Sequence, residues 1–352
     1  MRRQVLIGIA ACFYYSGMVA LARWVTQRSK SRLIVLNYHR ATGGNLLRHL
    51  LYLRHHYSIV PVEKALEELY APFKKDGNLH DKRTPLVLTF DDGYRDNYTH
   101  GYALARDLQI PFTIYLIPGY LDNRTHFWWL EGKHLVKHAG VDTVTLDGRT
   151  FNLNSSEDRS YVARFIDAGV RYASSVQERE QFLADMRAAF AVSPEQVDED
   201  DPSLPLSWDE VREMDASGLV SFGAHTMHHP ILAFLADQEE VRSEVVDCRA
   251  ALEKQLGHPV RTFAYPVGQA QHVSCSAVEM VQKAGFIWAF TTMYGINTPE
   301  CDPYLLKRVE VDVDQHWLVV AAEAAGLWGF FSRLRWLPFI RKNFTNTTNA
   351  VR

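Results

Sequence analysis

Apolar and polar positions follow two rhythms along this chain. Runs rich in β-branched and aromatic residues over 33–39, 86–90, 112–117, Val220–Ala224 and 262–265 each predict a short buried strand. Pro85, Pro111 and Pro118 bound the second and third runs. Between the strands the apolar spacing lengthens to a helical period over Val62–Tyr70, 98–108, 210–216, 239–256 and 276–284. Strand and helix in alternation predict an α/β fold with a parallel sheet or barrel inside a shell of helices. In such folds the chemistry gathers where strands end and loops begin. The stretch 130–205 breaks the rhythm. It is polar and helical in pattern, with a solvated Asp198-Glu199-Asp200-Asp201-Pro202 run, and is expected to be an insertion.

The chain starts with a different pattern. Residues 5–22 are uncharged and mostly apolar, with Arg2 and Arg3 before them and Arg23, Arg28, Lys30 and Arg32 after. As one helix the run would measure about 27 Å, just enough for a thin hydrocarbon core. Ala20-Leu21-Ala22 also fits the small-x-small end of a signal peptide. The mid-run aromatics Phe13, Tyr14 and Tyr15 and the basic stop favour a retained anchor, so 1–32 is expected to be a membrane anchor or signal segment. At the other end, 327–344 interleaves Trp328, Phe330, Phe331, Trp336, Phe339 and Phe344 with Arg333, Arg335, Arg341 and Lys342. This basic, aromatic, acid-free pattern suits an amphipathic segment in the headgroup region or a helix packed on the main domain.

The overall charge conceals this division. The formal net charge is −3, from 38 basic and 41 acidic residues, which taken alone argues against a nucleic-acid partner. Every acid lies between Glu63 and Glu323, so that span carries −17 and the two ends carry +14. The expected location is therefore a membrane, with the folded domain outside the cytoplasm, or a secreted protein if cleavage follows Ala22. The four cysteines, Cys12, Cys248, Cys275 and Cys301, form no C-x-x-C pair, which excludes a structural zinc ribbon.

Three strand-to-loop exits carry candidate chemistry. Thr89-Phe90-Asp91-Asp92-Gly93 places two adjacent carboxylates at a strand's end, an arrangement that like-charge repulsion disfavours unless a cation is present. His225-Thr226-Met227-His228-His229 sets two imidazoles four residues apart, on one face if the segment makes a helical turn. A carboxylate with two histidines is a three-ligand metal site with a position left open. Phe263-Ala264-Tyr265-Pro266-Val267-Gly268 is a turn whose backbone N–H groups could face an oxyanion. His39 ends the first strand and is either a proton donor or a core histidine.

Together these segments resemble the polysaccharide deacetylases of carbohydrate esterase family 4, the NodB-type homology domain. The matching forms are Thr-Phe-Asp-Asp-Gly at 89–93, His-Thr-x-x-His at 225–229 and Phe-x-x-Pro-x-Gly at 263–268. Trp208 before Gly218, Leu252-Glu253 with Leu256-Gly257, Gly285-Phe286 with Ala289, and Leu306-Lys307-Arg308 extend the likeness across about 33–315. The resemblance implies a distorted (β/α) barrel and a metal-dependent hydrolase that removes N-acetyl groups from N-acetylglucosamine-type residues of a glycan. It implies Asp91 as general base, Asp92, His225 and His229 as ligands of a divalent metal, zinc above others, and the Val267 N–H as an oxyanion donor.

Two departures stand out. Many members carry an Arg where this chain has Ala264, and many carry a late histidine as general acid that is missing near 305–312. Tyr38-His39 resembles the Tyr-His of the poly-N-acetylglucosamine deacetylase branch, which implies His39 as the acid. Arg308 is a candidate to restrain Asp91 in place of the missing Arg. A glycan-binding barrel without full activity, or a metal hydrolase of non-sugar amides or esters, remain alternatives. Trp128, Trp129 and Tyr94 are candidate sugar-stacking aromatics.

Overall fold

The computed structural model describes residues 2–28, 32–71, 83–192 and 201–327. Its strands in chain order are β1 (Ile34–Tyr38), β2 (Ser58–Ile59), β3 (Pro85–Phe90), β4 (Phe112–Leu116), β5 (Thr143–Leu146), β6 (Arg149–Asn152), β7 (Val220–Ala224), β8 (Thr262–Ala264), β9 (Trp288–Phe290) and β10 (Val309–Glu310). The main sheet runs β10-β1-β3-β4-β7-β8-β9 with every pairing parallel, and β2 adds to the start of β3. Leu306 bridges Phe290 of β9 just before β10 pairs with β1, so the sheet curls back on itself as a distorted barrel.

Side-chain alternation decides what lies inside that barrel. Ile34, Leu36, Tyr38, Leu86, Leu88, Phe90, Ile114 and Phe263 join the core shared with the surrounding helices. Val35, Val87, Tyr115, Ala264 and Phe290 form a separate cluster with Val62, Leu66 and Leu69 of the helix Val62–Tyr70. Above that apolar floor the same inward rows continue with Asn37 and Thr89, and Arg308 reaches them from just before β10; all three are fully buried. Polar groups thus begin where the strands near their C-terminal ends.

The insertion is a folded unit with its own core of Phe127, Val162, Ile166, Leu183 and Phe190. It holds the helices Trp128–Lys137, Ser156–Arg171 and Val176–Ala189 and, unforeseen from its polar sequence, the antiparallel hairpin β5–β6. Ser155 and Ser175 start the two longer helices by accepting from the N–H groups of Asp158 and Glu178.

The apolar start of the chain departs from the single helix expected. It forms helices over Arg2–Tyr15 and Met18–Arg28, bent by 65° at Ser16-Gly17, and among the described residues no single helix is long and apolar enough to cross a membrane. Gly17 takes a φ of +82°, a left-handed conformation that turns the chain at low cost. Ala10 packs on Leu318 and Val319 of the helix Trp317–Ala324. That helix lies past residue 315, yet its Val320, Ala321, Ala322 and Ala324 are buried in the main core, so the packed unit extends beyond the expected boundary. Past Leu327 the basic, aromatic segment expected at the C-terminus lies outside the described residues.

Candidate active site

β3 delivers the paired carboxylates. Asn37 and Thr89 are register partners on β1 and β3, and Asp91 continues the same inward row, its N–H donating to the Tyr38 carbonyl at 2.9 Å. The Asp91 carboxylate accepts from Arg308 Nη1 and Nη2 at 2.7 Å each and from Asn37 Nδ2 at 2.9 Å. Arg308 also donates to the Thr291 carbonyl and to Asn37 Oδ1, which fixes its guanidinium plane. Burial pushes the Asp91 carboxyl up, but the Arg308 guanidinium, through its charge and its hydrogen bonds, outweighs it and holds the group well below the usual carboxylate range.

Asp92 turns out of the strand. It has a φ of +73° and precedes Gly93 at +72°, where a Cβ would lie 2.6 Å from Leu116 Cδ2. Asp92 therefore faces away from the Asp91–Arg308 pair and toward the loop after β7. Its Oδ1 lies 3.6 Å from His225 Nε2 and 3.6 Å from His229 Nε2. The three ligand atoms fall within 4.8 Å of one another, and all three residues are buried.

The histidine pair does not sit on a helical turn. Residues 225–229 form an irregular loop in which Thr226 and His229 have φ of +65° and +59°, and Thr226 Oγ1 accepts from the His229 N–H at 2.9 Å. The spacing of four brings the rings together through this tight loop, at 4.8 Å between centroids. His228 points elsewhere, its Nδ1 lying 2.7 Å from Glu244 Oε1. Glu244 is buried on the helix Gln238–Leu256 and also accepts from the His228 N–H, so it props the loop. From the insertion, Trp128 Nε1 donates to the His229 carbonyl at 3.2 Å and Arg179 Nη1 to the His228 carbonyl at 3.0 Å.

The donor set fits a divalent ion. His225 Nδ1 lies 2.7 Å from the Ala264 carbonyl, the outer partner that aims Nε2 at Asp92. Burial pushes His225 down to about 4 and His229 well below its ordinary value, so both imidazoles are neutral and ready to ligate. Burial raises Asp92 to about 7, with the Asp91 charge adding to the rise, and a cation among the three would relieve that cost. One carboxylate oxygen with two imidazole nitrogens matches the three-ligand sets of catalytic zinc.

The set lies in a cleft of about 830 Å³ that also admits His39, Val267 and Thr292. His39, after β1, is exposed. Val267, after β8, has a φ of +59°, a strained conformation for a β-branched residue. Among the described residues eight non-glycine positions have positive φ, and four of them, Asp92, Thr226, His229 and Val267, belong to these site loops. Strain concentrated in this way marks a functional region. Of the three candidate stacking aromatics, Trp128 and Tyr94 are buried structural residues and Trp129 is half-buried in the cleft wall, donating to Tyr94 Oη at 2.6 Å.

Asn37 and Glu244 were missed by sequence reasoning. Each had a signal: an amide in an otherwise apolar strand, and a carboxylate on the apolar row Val241, Val245, Cys248, Leu252.

A family model described as "Polysaccharide deacetylase" matches residues 79–170 and 183–286, more than half of the chain. YxkH of Bacillus subtilis (strain 168), named for the same family, is 25% identical over 152 residues, which are 40% of this chain and 52% of YxkH. The chain thus matches about half the length of that relative. Among solved structures, IcaB from Ammonifex degensii superposes with a TM-score of 0.53 at 21% identity, covering 84% of this chain and 98% of that one. The de-N-acetylase from Aggregatibacter actinomycetemcomitans gives 0.52 at 16%, covering 83% and 99%. Streptococcus pyogenes deacetylase PplD, solved with acetate, gives 0.53 at 15%, covering 83% and 98%. At these identities the superpositions establish a common fold.

Proposed function

Because the chain belongs to the polysaccharide deacetylase family, we propose that it hydrolyses the N-acetyl amide of N-acetylglucosamine-type residues in a glycan, releasing acetate and a free amine. The observation that carries this reading is the convergence of Asp92, His225 and His229 beside an Asp91 locked by Arg308, all in one cleft. A divalent ion held by Asp92, His225 and His229, zinc by its donor set, would polarise an acetamide carbonyl and acidify a water molecule.

The protein's own groups supply the rest. Asp91, kept ionised by Arg308, takes the proton of the attacking water. The bidentate clamp also fixes which carboxylate edge faces the cleft. The Val267 N–H is the oxyanion donor in this reading; Val267 lines the cleft from the loop after β8. His39 gives a proton to the departing amine; its exposure keeps it in exchange with solvent, from which it recovers that proton. The Tyr38-His39 pair, which resembles that of the poly-N-acetylglucosamine deacetylase branch, supports His39 as the proton donor.

The N-terminal helices support attachment to a membrane surface. Val5, Leu6, Ile9, Leu21, Trp24 and Val25 are each 38% exposed or more, beside Arg23 and Arg28. Co-flotation with anionic vesicles, lost on removal of residues 1–28, tests this. The activity is tested by measuring acetate from a panel of N-acetylated glycans with chelator and with added zinc. Release that is absent or indifferent to chelator counts against it.

A further inference from the structure

The candidate metal ligands Asp92, His225 and His229 are three of the many residues that line the cleft. Much of its remaining wall is built by the insertion, from the helices Trp128–Lys137 and Ser156–Arg171. The cleft-lining positions on the second helix are 159, 160, 163, 164, 167 and 171, a single row at helical spacing. That row presents Arg159, Arg164 and Arg171 with one acid, Asp167, and Asp167 is paired with Arg171 at 3.1 Å. Lys133 joins from the neighbouring helix. The helices approach closely there, since a Cβ on Gly132 would lie 2.7 Å from the Ala163 carbonyl.

Among the described residues, Lys133, Arg159 and Arg164 have no carboxylate within ion-pairing distance. Nearby acids are held off the cleft: Asp158 accepts from the Asn152 N–H, and Glu131 pairs with Arg187 at 2.9 Å. A solvated helix face ordinarily mixes charge signs and pairs them at i,i+4. This one leaves three exposed cations unpaired along the wall of the same cleft as the metal-ligand set. The other acids of the cleft are Asp91, neutralised by Arg308, Asp92 of the ligand set, and Glu310 on β10.

We propose that Lys133, Arg159 and Arg164 form an anion-binding subsite, so that the substrate is an N-acetylated amino sugar bearing an anionic substituent. The anion sits on this row and the acetamide at Asp92, His225 and His229. A cleft of about 830 Å³ is in the upper range of ligand pockets and has room for more than one acetamido group. A phosphate ester and a carboxylate share the required chemistry. The sugar part of this inference rests on the deacetylase reading, whereas the anion site does not.

The test is binding to the full-length chain after chelation, so that no metal can capture the anion and hydrolysis plays no part. The probes are N-acetylglucosamine 1-phosphate, N-acetylmuramic acid and neutral N-acetylglucosamine, measured by calorimetry in low and high salt. One or both anionic sugars should bind about tenfold tighter than the neutral one at low salt, with the difference shrinking at high salt. Whichever binds tighter identifies phosphate or carboxylate as the anion. The triple variant Lys133→Gln/Arg159→Gln/Arg164→Gln should keep the parent's melting transition and lose the preference. The single variant Arg242→Gln, on the helix Gln238–Leu256, should retain it. Equal affinity for all three sugars, no measurable binding of either anionic sugar, or a preference that survives in the triple variant would overturn the proposal. Failure of acetate release with metal present would instead overturn the deacetylase reading and leave this binding result standing.

Discussion

Arg308 grips Asp91 through two parallel hydrogen bonds of 2.7 Å, and neither side chain is more than 2% exposed. A buried pair of this kind is strongly destabilising to break from one side, because the remaining charge has no partner. Arg308→Met is expected to lose about 3–5 kcal/mol in urea denaturation. The double variant Arg308→Met/Asp91→Leu should recover much of that loss, because it removes both charges. An Arg308→Met protein as stable as the parent would show the pair to be of no structural consequence.

Replacing Arg308 by Lys keeps a charge and abolishes the fork. Because a lysine cannot hold both carboxylate oxygens, Arg308→Lys should lower kcat more than it raises KM. Steady-state kinetics separate the two, and a change confined to KM would contradict a role in orienting Asp91.

His39 is tested by substitution. His39→Gln should reduce kcat by about 10²–10⁴-fold while zinc affinity, measured by calorimetry, stays unchanged. A variant with the parent's rate would remove His39 from proton transfer.

The proposed role of Val267 uses its backbone N–H, so its side chain should be dispensable. Val267→Gly relieves a φ of +59° and should retain activity within a few-fold, with stability equal to or above the parent. Val267→Pro removes the N–H and cannot adopt that φ, and should be inactive. Acetate assays beside melting curves distinguish the pair; an inactive Val267→Gly would place the function in the side chain.

Glu323, on the helix Trp317–Ala324, is pushed up to about 8 by burial and by the Glu310 charge. Its folded form therefore keeps a proton that the unfolded chain has lost above its ordinary value of 4.5. Stability falls as pH rises from there to about 8. Glu323→Gln should match the parent near pH 4 and exceed it by about 1–3 kcal/mol at pH 8, read from melting curves across that range. A constant difference across the range would contradict the shift.

Much of the barrel was legible because its strands are buried on both faces and so appear as unbroken apolar runs bounded by prolines. The two-residue strands β2 and β10 were not, since two residues carry no periodicity, and β9 was not foreseen either. The candidate ligands Asp92, His225 and His229 could be read from residue type and order, but the geometry joining them could not. Helical spacing suggested a shared face for the histidines, whereas positive φ at Thr226 and His229 does that work. Arg308 was a guess from sequence because its partner lies 217 residues away, and only barrel closure brings the two together. The insertion hairpin escaped because β5 and β6 alternate exposed and buried positions on a small local core rather than forming apolar runs.

The central claim is metal-dependent N-acetyl hydrolysis at Asp92, His225 and His229. Its most direct test counts acetate and new free amine from one N-acetylglucosamine oligomer, using chelated protein, the same protein with zinc restored, and Asp92→Ala with zinc. The account requires acetate and amine in equal amounts from the zinc-restored protein alone. Equal release from chelated protein, or from Asp92→Ala, would contradict it.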